Sequence, residues 1–222
     1  MTTFDWPDGP DFCPINGSFR LMPVSQTSAS PYTGSIKAIG LAQVWMARFE
    51  IDLRSLANAH SFQGFIESLE GAVNPVRLFD RWRPMPLALK GAVSGFSDGS
   101  FFDDGTGFTD GWSPLIVTAA AKGERRVHME GLPVSQECFR RGDLLGLGGF
   151  LYEVRAGVTS NGDGEALVNI LPGLRAGVAA GDAVTLWRPR LAMRLANGSD
   201  AEVTRLGRNP GRIELQFVED IP

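Results

Sequence analysis

Two histidines and two cysteines are the residues that catalysis or metal binding would use first in this 222-residue chain. His60 falls off the apolar stripe of a predicted helix, and His128 alternates with Val127 and Met129 in a predicted strand. Spacing places no partner beside either, so both read as surface histidines. Cys13 and Cys138 lie far apart and read as free thiols rather than a redox pair. No Gly-x-Ser-x-Gly, phosphate loop or Cys-x-x-Cys occurs. Asp98, Asp103, Asp104 and Asp110 offer the oxygen ligands that calcium takes, but their spacing does not fit a calcium loop and no glutamate closes it. Turn formation by Asp-Gly pairs accounts for them better. The carboxylate pairs of glycoside hydrolysis are assembled in space, and Glu50 with Asp52 is the nearest local candidate. Both fall on the wet face of a predicted strand. The chain is therefore read as carrying no catalytic, cofactor or metal residues, and as no enzyme.

Tryptophan is the other informative type. Trp45 and Trp187 sit within apolar strand sequence and read as core. Trp82 and Trp112 sit in loop sequence and read as interface residues, because tryptophan is enriched where surfaces meet. Phe4, Trp6 and Phe12 belong to an N-terminal arm, residues 1–17, broken by Pro7, Pro10 and Pro14. So apolar an arm must pack on something, either its own domain or a neighbouring subunit. The subunit alternative makes these three aromatics interface candidates.

Charge excludes further classes. The net charge is −4, and no cluster of Lys and Arg exceeds two adjacent residues. A nucleic-acid groove needs a basic stripe, so tight DNA or RNA binding is not expected. No apolar run is long enough for a membrane span. The N-terminus lacks a basic region followed by an apolar stretch, which reads as a chain made in a cytoplasm.

The elements that would position these residues are mostly strands. With Gly 27 and Pro 14, the chain is turn-rich. Val44–Leu53 alternates: Trp45, Ala47, Phe49, Ile51 and Leu53 share one face, and Met46, Arg48, Glu50 and Asp52 the other. Phe19–Val24 reads as a strand followed by a Ser/Thr-rich turn region, Ser25–Gly34. One helix is predicted. Ser55 caps it, Leu56, Ala59, Phe62, Ile66 and Leu69 form its stripe, and Gly71 ends it. Pro75–Phe79 reads as a strand after it. Arg81–Pro86 is extended by its two prolines. Ser94–Trp112, rich in Gly, Asp and Phe, reads as a long connection with anchoring aromatics.

Residues 113–188 carry several short strand signals. Asp143–Leu147 and Phe150–Val154 flank Gly148-Gly149, a hairpin signature. So many short strands suit a small barrel, which leaves no exposed edges. Arg190–Leu195 and Ile213–Phe217 alternate again. A lone hairpin is barely stable in water, so these strands need the N-terminal sheet. The predicted organisation is a discontinuous first domain, residues 1–112 with 189–222, and an inserted barrel, residues 113–188.

Several segments in this order resemble the distal tail proteins of siphovirus-like phages and gene transfer agents. Thr27-Ser-Ala-Ser-Pro-Tyr-Thr-Gly-Ser-Ile36 followed by Trp45-Met-Ala-Arg-Phe-Glu-Ile51 resembles that group's opening. Leu69-Glu-Gly71 running into Val76-Arg-Leu-Phe-Asp80 resembles its helix–strand step. Gly131-Leu-Pro133, Arg141-Gly-Asp143, Leu151-Tyr-Glu-Val154, Leu171-Pro-Gly-Leu-Arg175 and Gly181-Asp-Ala-Val184 follow its barrel wording, and Arg190–Leu195 its return strand. Ser94–Trp112 departs from that pattern. The resemblance implies a mainly β protein: a tail-tube-like β-sandwich with one flanking helix plus an inserted small β-barrel. It also implies a structural virion component of the tail-tip baseplate, assembled in the host cytoplasm. That component is a homo-oligomeric ring, usually a hexamer, joining the tail tube protein to the tail hub protein. Tape-measure and receptor-binding proteins would be further neighbours. Such a ring continues the DNA channel, with Glu50 and Asp52 as candidate lumen-facing residues and no cofactor. The alternative is a β-sandwich carbohydrate- or receptor-binding module of the tail tip.

Overall fold

Alternation of buried and more exposed residues runs through Trp45–Asp52 and Arg212–Glu219 of the computed structural model. It describes residues 2–7, 9, 12–29, 36–53, 55–90, 112, 114–196, 205–206 and 209–221. The chain divides into two units, Met1–Leu78 with Ala192–Pro222, and Phe79–Leu191. The protein is mainly β, with one α-helix.

In chain order the first unit opens with β1 (Phe4–Asp5), β2 (Asn16–Ala29), β3 (Ile36–Asp52), α1 (Leu56–Ser68) and β4 (Val76–Leu78). The second unit holds β5 (Leu115–Ile116), β6 (Arg126–Glu130), β7 (Glu137–Phe139), β8 (Leu144–Leu147), β9 (Phe150–Val154), β10 (Val158–Thr159), β11 (Ala166–Leu171) and β12 (Val184–Thr185). The chain then returns through β13 (Leu191–Leu195), β14 (Arg205–Leu206), β15 (Asn209–Pro210) and β16 (Arg212–Glu219).

The first unit is built on a six-stranded sheet, ordered β1-β4-β13-β16-β3-β2. The alternating C-terminal strands β13 and β16 supply its centre. Trp45, Ala47, Phe49 and Ile51 of β3 are buried, as are Ile213, Leu215 and Phe217 of β16. Two apolar strand faces side by side make one layer, and a sheet so patterned needs a second. The helix provides it. Ser55 Oγ accepts from Asn58 N at 3.1 Å, so the predicted cap is formed. Ala59, Phe62 and Leu69 are buried. Gly71, at φ +67, takes the left-handed turn after the helix.

Two expectations are corrected in this unit. Ser25–Gly34 does not begin a turn region at Ser25: β2 runs on to Ala29 and pairs with β3 as far as Ile36. Serine and threonine satisfy a ladder as well as a turn once a partner strand is opposite. Residues 30–35 lie outside the described residues. Trp6, an interface candidate only if the arm packs on a neighbouring subunit rather than on its own domain, is core, at 5% exposed. Its ring meets Phe49, Phe62, Phe65 and Phe217 edge-on at 5.5–6.1 Å, and Nε1 donates to the Phe12 carbonyl at 3.1 Å. Burying so large a ring on the nearest apolar face outweighs holding it out for a partner. Phe12 lies against Phe62, with centroids 5.6 Å apart. Phe4 pairs with Val76 in a parallel bridge that adds β1 to the sheet edge. Both are half-buried in their own unit.

The second unit is a six-stranded sheet ordered β12-β8-β9-β11-β6-β5. A bridge between Leu115 and Ala183, with Ile116 N donating to Asp182 O at 2.9 Å, brings its two edges together. The sheet thus all but closes into a small barrel. Met129, Phe139, Leu145, Tyr152, Val154 and Ile170 fill its interior. Gly148 and Gly149, at φ +59 and +82, form the two-residue turn between β8 and β9. That conformation is what a primed hairpin turn demands and glycine permits.

The boundary between the units differs from the predicted one. Residues from Phe79 onward belong to the barrel unit. Local sequence offers only the two prolines of Arg81–Pro86, and long-range bonds decide where the segment goes. Asp80 accepts from Trp82 N at 2.9 Å and Arg83 Nε at 2.7 Å. Arg83 Nη1 donates to Gly142 O at 2.9 Å and approaches Glu153 at 3.3 Å. Leu89 joins the barrel core. Buried Asp143 accepts from Arg140 N at 2.6 Å and Leu87 N at 3.1 Å. Asp143→Ala leaves both donors without that acceptor. It is expected to destabilise the barrel unit by about 1–3 kcal/mol, read from denaturant midpoints.

Candidate interaction surfaces

The strap of residues 80–90 forms one wall of a groove on the barrel unit. The strap is not extended as expected: it turns at Arg81–Trp82, bends at Pro84–Met85 and winds into a 3-10 helix at Leu87–Leu89, and Arg188 N donates to Pro84 O at 2.6 Å. Between the strap and the Arg141–Asp143 turn lies a groove of about 470 Å³, lined by Trp82, Met85, Leu87 and Trp187 with Arg83, Lys90 and Arg141. Trp82 is 51% and Leu87 59% exposed, so this is apolar surface open to solvent. Trp187, expected in the core, lines the groove instead. Strand β12 ends at Thr185, and Arg188 turns the chain at φ +44, which releases Trp187 from the barrel interior. Trp112 packs, half-buried, against the barrel core.

A second cavity of about 340 Å³ opens on the same unit, lined by Arg125, Arg141, Arg155, Ala156 and Asn169. The expected absence of a basic stripe along the sequence gave no warning of it, because its arginines come from separate strands.

On the first unit, Glu50 and Asp52 do lie on the solvent face of β3. Cross-strand register sets Glu50 opposite Glu214 and Asp52 opposite Arg212. Like charges opposite one another are unfavourable, and two diagonal pairs relieve them: Arg48–Glu214 at 2.6 Å and Arg212–Glu50 at 3.0 Å. The Arg48 guanidinium, by its hydrogen bond and then Gln216, holds the Glu214 carboxyl below its ordinary range. Its folded pKa being depressed, the pair's contribution is present above the ordinary glutamate range and is lost as pH falls through the lowered value. Both side chains are solvated, so the effect on stability is small. Arg20 of β2 shares this face, opposite Met46. The face mixes both signs.

His60 is exposed on α1. His128 Nε2 lies 3.4 Å from a Glu165 carboxylate oxygen, a surface pair between β6 and the start of β11 that spacing had not revealed. Cys13 and Cys138 are not joined by a disulfide. Among the described residues no three His, Cys, Asp or Glu side chains converge as metal ligands, and no helix is long and apolar enough to cross a membrane. Asp98, Asp103, Asp104 and Asp110 lie outside the described residues. The chain matches no family model and no curated protein.

Proposed function

We propose that this chain is a structural ring component of a phage or gene-transfer-agent tail tip, joining the tail tube to the hub and continuing the DNA channel. The observation that carries this reading is the reach of the β2–β3 ribbon. β16 pairs with β3 only from Asp52 to Met46. There Glu219 closes the ladder, its carboxylate accepting from Trp45 N at 3.0 Å. From Val44 back to Ile36, β3 has β2 as its only partner strand among the described residues, and β2 is itself the sheet edge. Strands of 14 and 17 residues are long against the usual ~3–10.

A two-stranded ribbon with both edges open is marginal alone and is a template for pairing with another chain. Head-to-tail pairing of identical ribbons turns that liability into a wall. Such a contact is heterologous and yields a ring when the rotation per copy divides a full turn. The solvent face bearing Arg20, Arg48, Glu50, Asp52, Arg212 and Glu214 suits the lumen of such a ring. Its mixed charge gives DNA phosphates no continuous basic track to bind. The order of sequence segments shared with distal tail proteins points the same way.

Electron microscopy of tailed particles carrying a gold label on this chain tests the assignment. Label confined to the tail tip is expected. Label on capsids, along the tube or on no particle contradicts it.

A further inference from the structure

The barrel unit places three arginines side by side where a stable sheet gains nothing from them. The backbone ladder aligns the row. Gly142 N donates to Val154 O at 2.9 Å, which brings Arg141 beside Arg155. Arg155 N donates to Asn169 O at 2.9 Å, and Asn169 stands opposite Arg126, the chain neighbour of Arg125. Arg141 in the turn before β8, Arg155 just after β9 and Arg125 just before β6 thus gather around Asn169 of β11, and these four line one cavity. Like charges on adjacent strands repel. The carboxylates nearby in sequence are engaged elsewhere: Glu153 with Arg83 at 3.3 Å, Glu137 with Arg140 at 3.1 Å, and Glu124 with Ala121 N at 3.1 Å. None of the three arginines has an ion pair among the described residues.

A second observation adjoins the first. Arg141 lines both this cavity and the apolar groove of Trp82, Met85, Leu87 and Trp187. We infer that the two form one docking surface on the barrel for an acidic segment of a partner protein. Its Asp or Glu side chains would sit on the arginine row and its apolar side chains in the groove. Guanidinium groups bind carboxylates through paired, charge-assisted hydrogen bonds. Exposed tryptophan beside arginine is the composition of an interface hot spot. Phosphate would also satisfy arginine, but a nucleic acid needs a long basic track, and these arginines are confined to one cavity. The inference does not rest on ring formation, since surface and ribbon belong to different units.

Fluorescence anisotropy on the full chain tests it. The probe is a short fluorescein-labelled peptide in which pairs of Asp alternate with Phe. The comparisons are the same peptide with Asn for Asp, and an oligothymidylate of equal charge. Saturable binding of the acidic peptide, weakened by added salt, is expected. Arg141→Glu with Arg155→Glu should reduce affinity by about tenfold or more, and Trp82→Ala should also weaken it. Arg20→Glu, an equal charge change on the other unit, should leave it unchanged. All four positions are exposed, and melting curves check that each variant folds. Failure of the wild type to bind, equal binding of the Asn peptide, or indifference to the double reversal overturns the inference. Tighter binding of the oligothymidylate overturns the choice of partner.

Discussion

Trp6→Ala will destabilise the first unit by about 3–5 kcal/mol, the range for removing a large buried aromatic from a core. Trp6 is 5% exposed and stands between the sheet and the helix. Phe49 and Phe217 approach it from the strands at 5.8 and 5.9 Å, and Phe62 and Phe65 from the helix at 6.1 and 5.5 Å. Deleting the indole opens a void that four aromatic rings cannot fill without leaving their own rotamers. It also removes the donor that ties the arm to itself through the Phe12 carbonyl. Urea unfolding followed by circular dichroism measures the loss as a lower midpoint at unchanged slope. A shift below about 1 kcal/mol, the ordinary scale of a point substitution, would mean that the arm is a loose attachment.

Removing the ribbon has the larger consequence for function. Register sets Ser25 opposite Gly40. Residues 26–39 can therefore be replaced by Asn-Gly, the pair that best fits a two-residue hairpin turn. The core of the first unit is untouched, because Phe49, Ile51, Leu215 and Phe217 all lie beyond the excised segment. The shortened chain is expected to fold, to unfold cooperatively at a temperature close to that of the full chain, and to be unable to form rings. Size-exclusion chromatography with light scattering distinguishes the outcomes. Rings of unchanged mass from the shortened chain would show that the ribbon is not the assembly element.

Much of the fold was legible because its signals are local. Alternation from Trp45 to Leu53 names the buried face of β3, and Ser55 with the stripe from Ala59 to Leu69 names the helix. Gly148-Gly149 names the barrel hairpin. The failures share a different cause. Trp6 sits among prolines and shows no period, so its partner could not be chosen between its own unit and a neighbour. The strap of residues 80–90 is fixed by Asp143 and Gly142, far along the chain. The length of β2 past Ser25 depends on what lies opposite. The arginine row needed several strand registers at once: Arg125, Arg141 and Arg155 are unremarkable one by one, and become a surface only when β8, β9, β11 and β6 lie in that order. Candidate surfaces are harder to read than cores for this reason. A buried stripe announces itself by period, while a docking face is assembled from unrelated segments.

The central claim is that this chain closes on itself as a ring. Native mass spectrometry of the purified full chain, at rising concentration, tests it most directly. The account predicts one dominant cyclic species, a hexamer, whose mass stops growing once the ring is closed. A monomer at every concentration, or a ladder of masses with no end point, would contradict it.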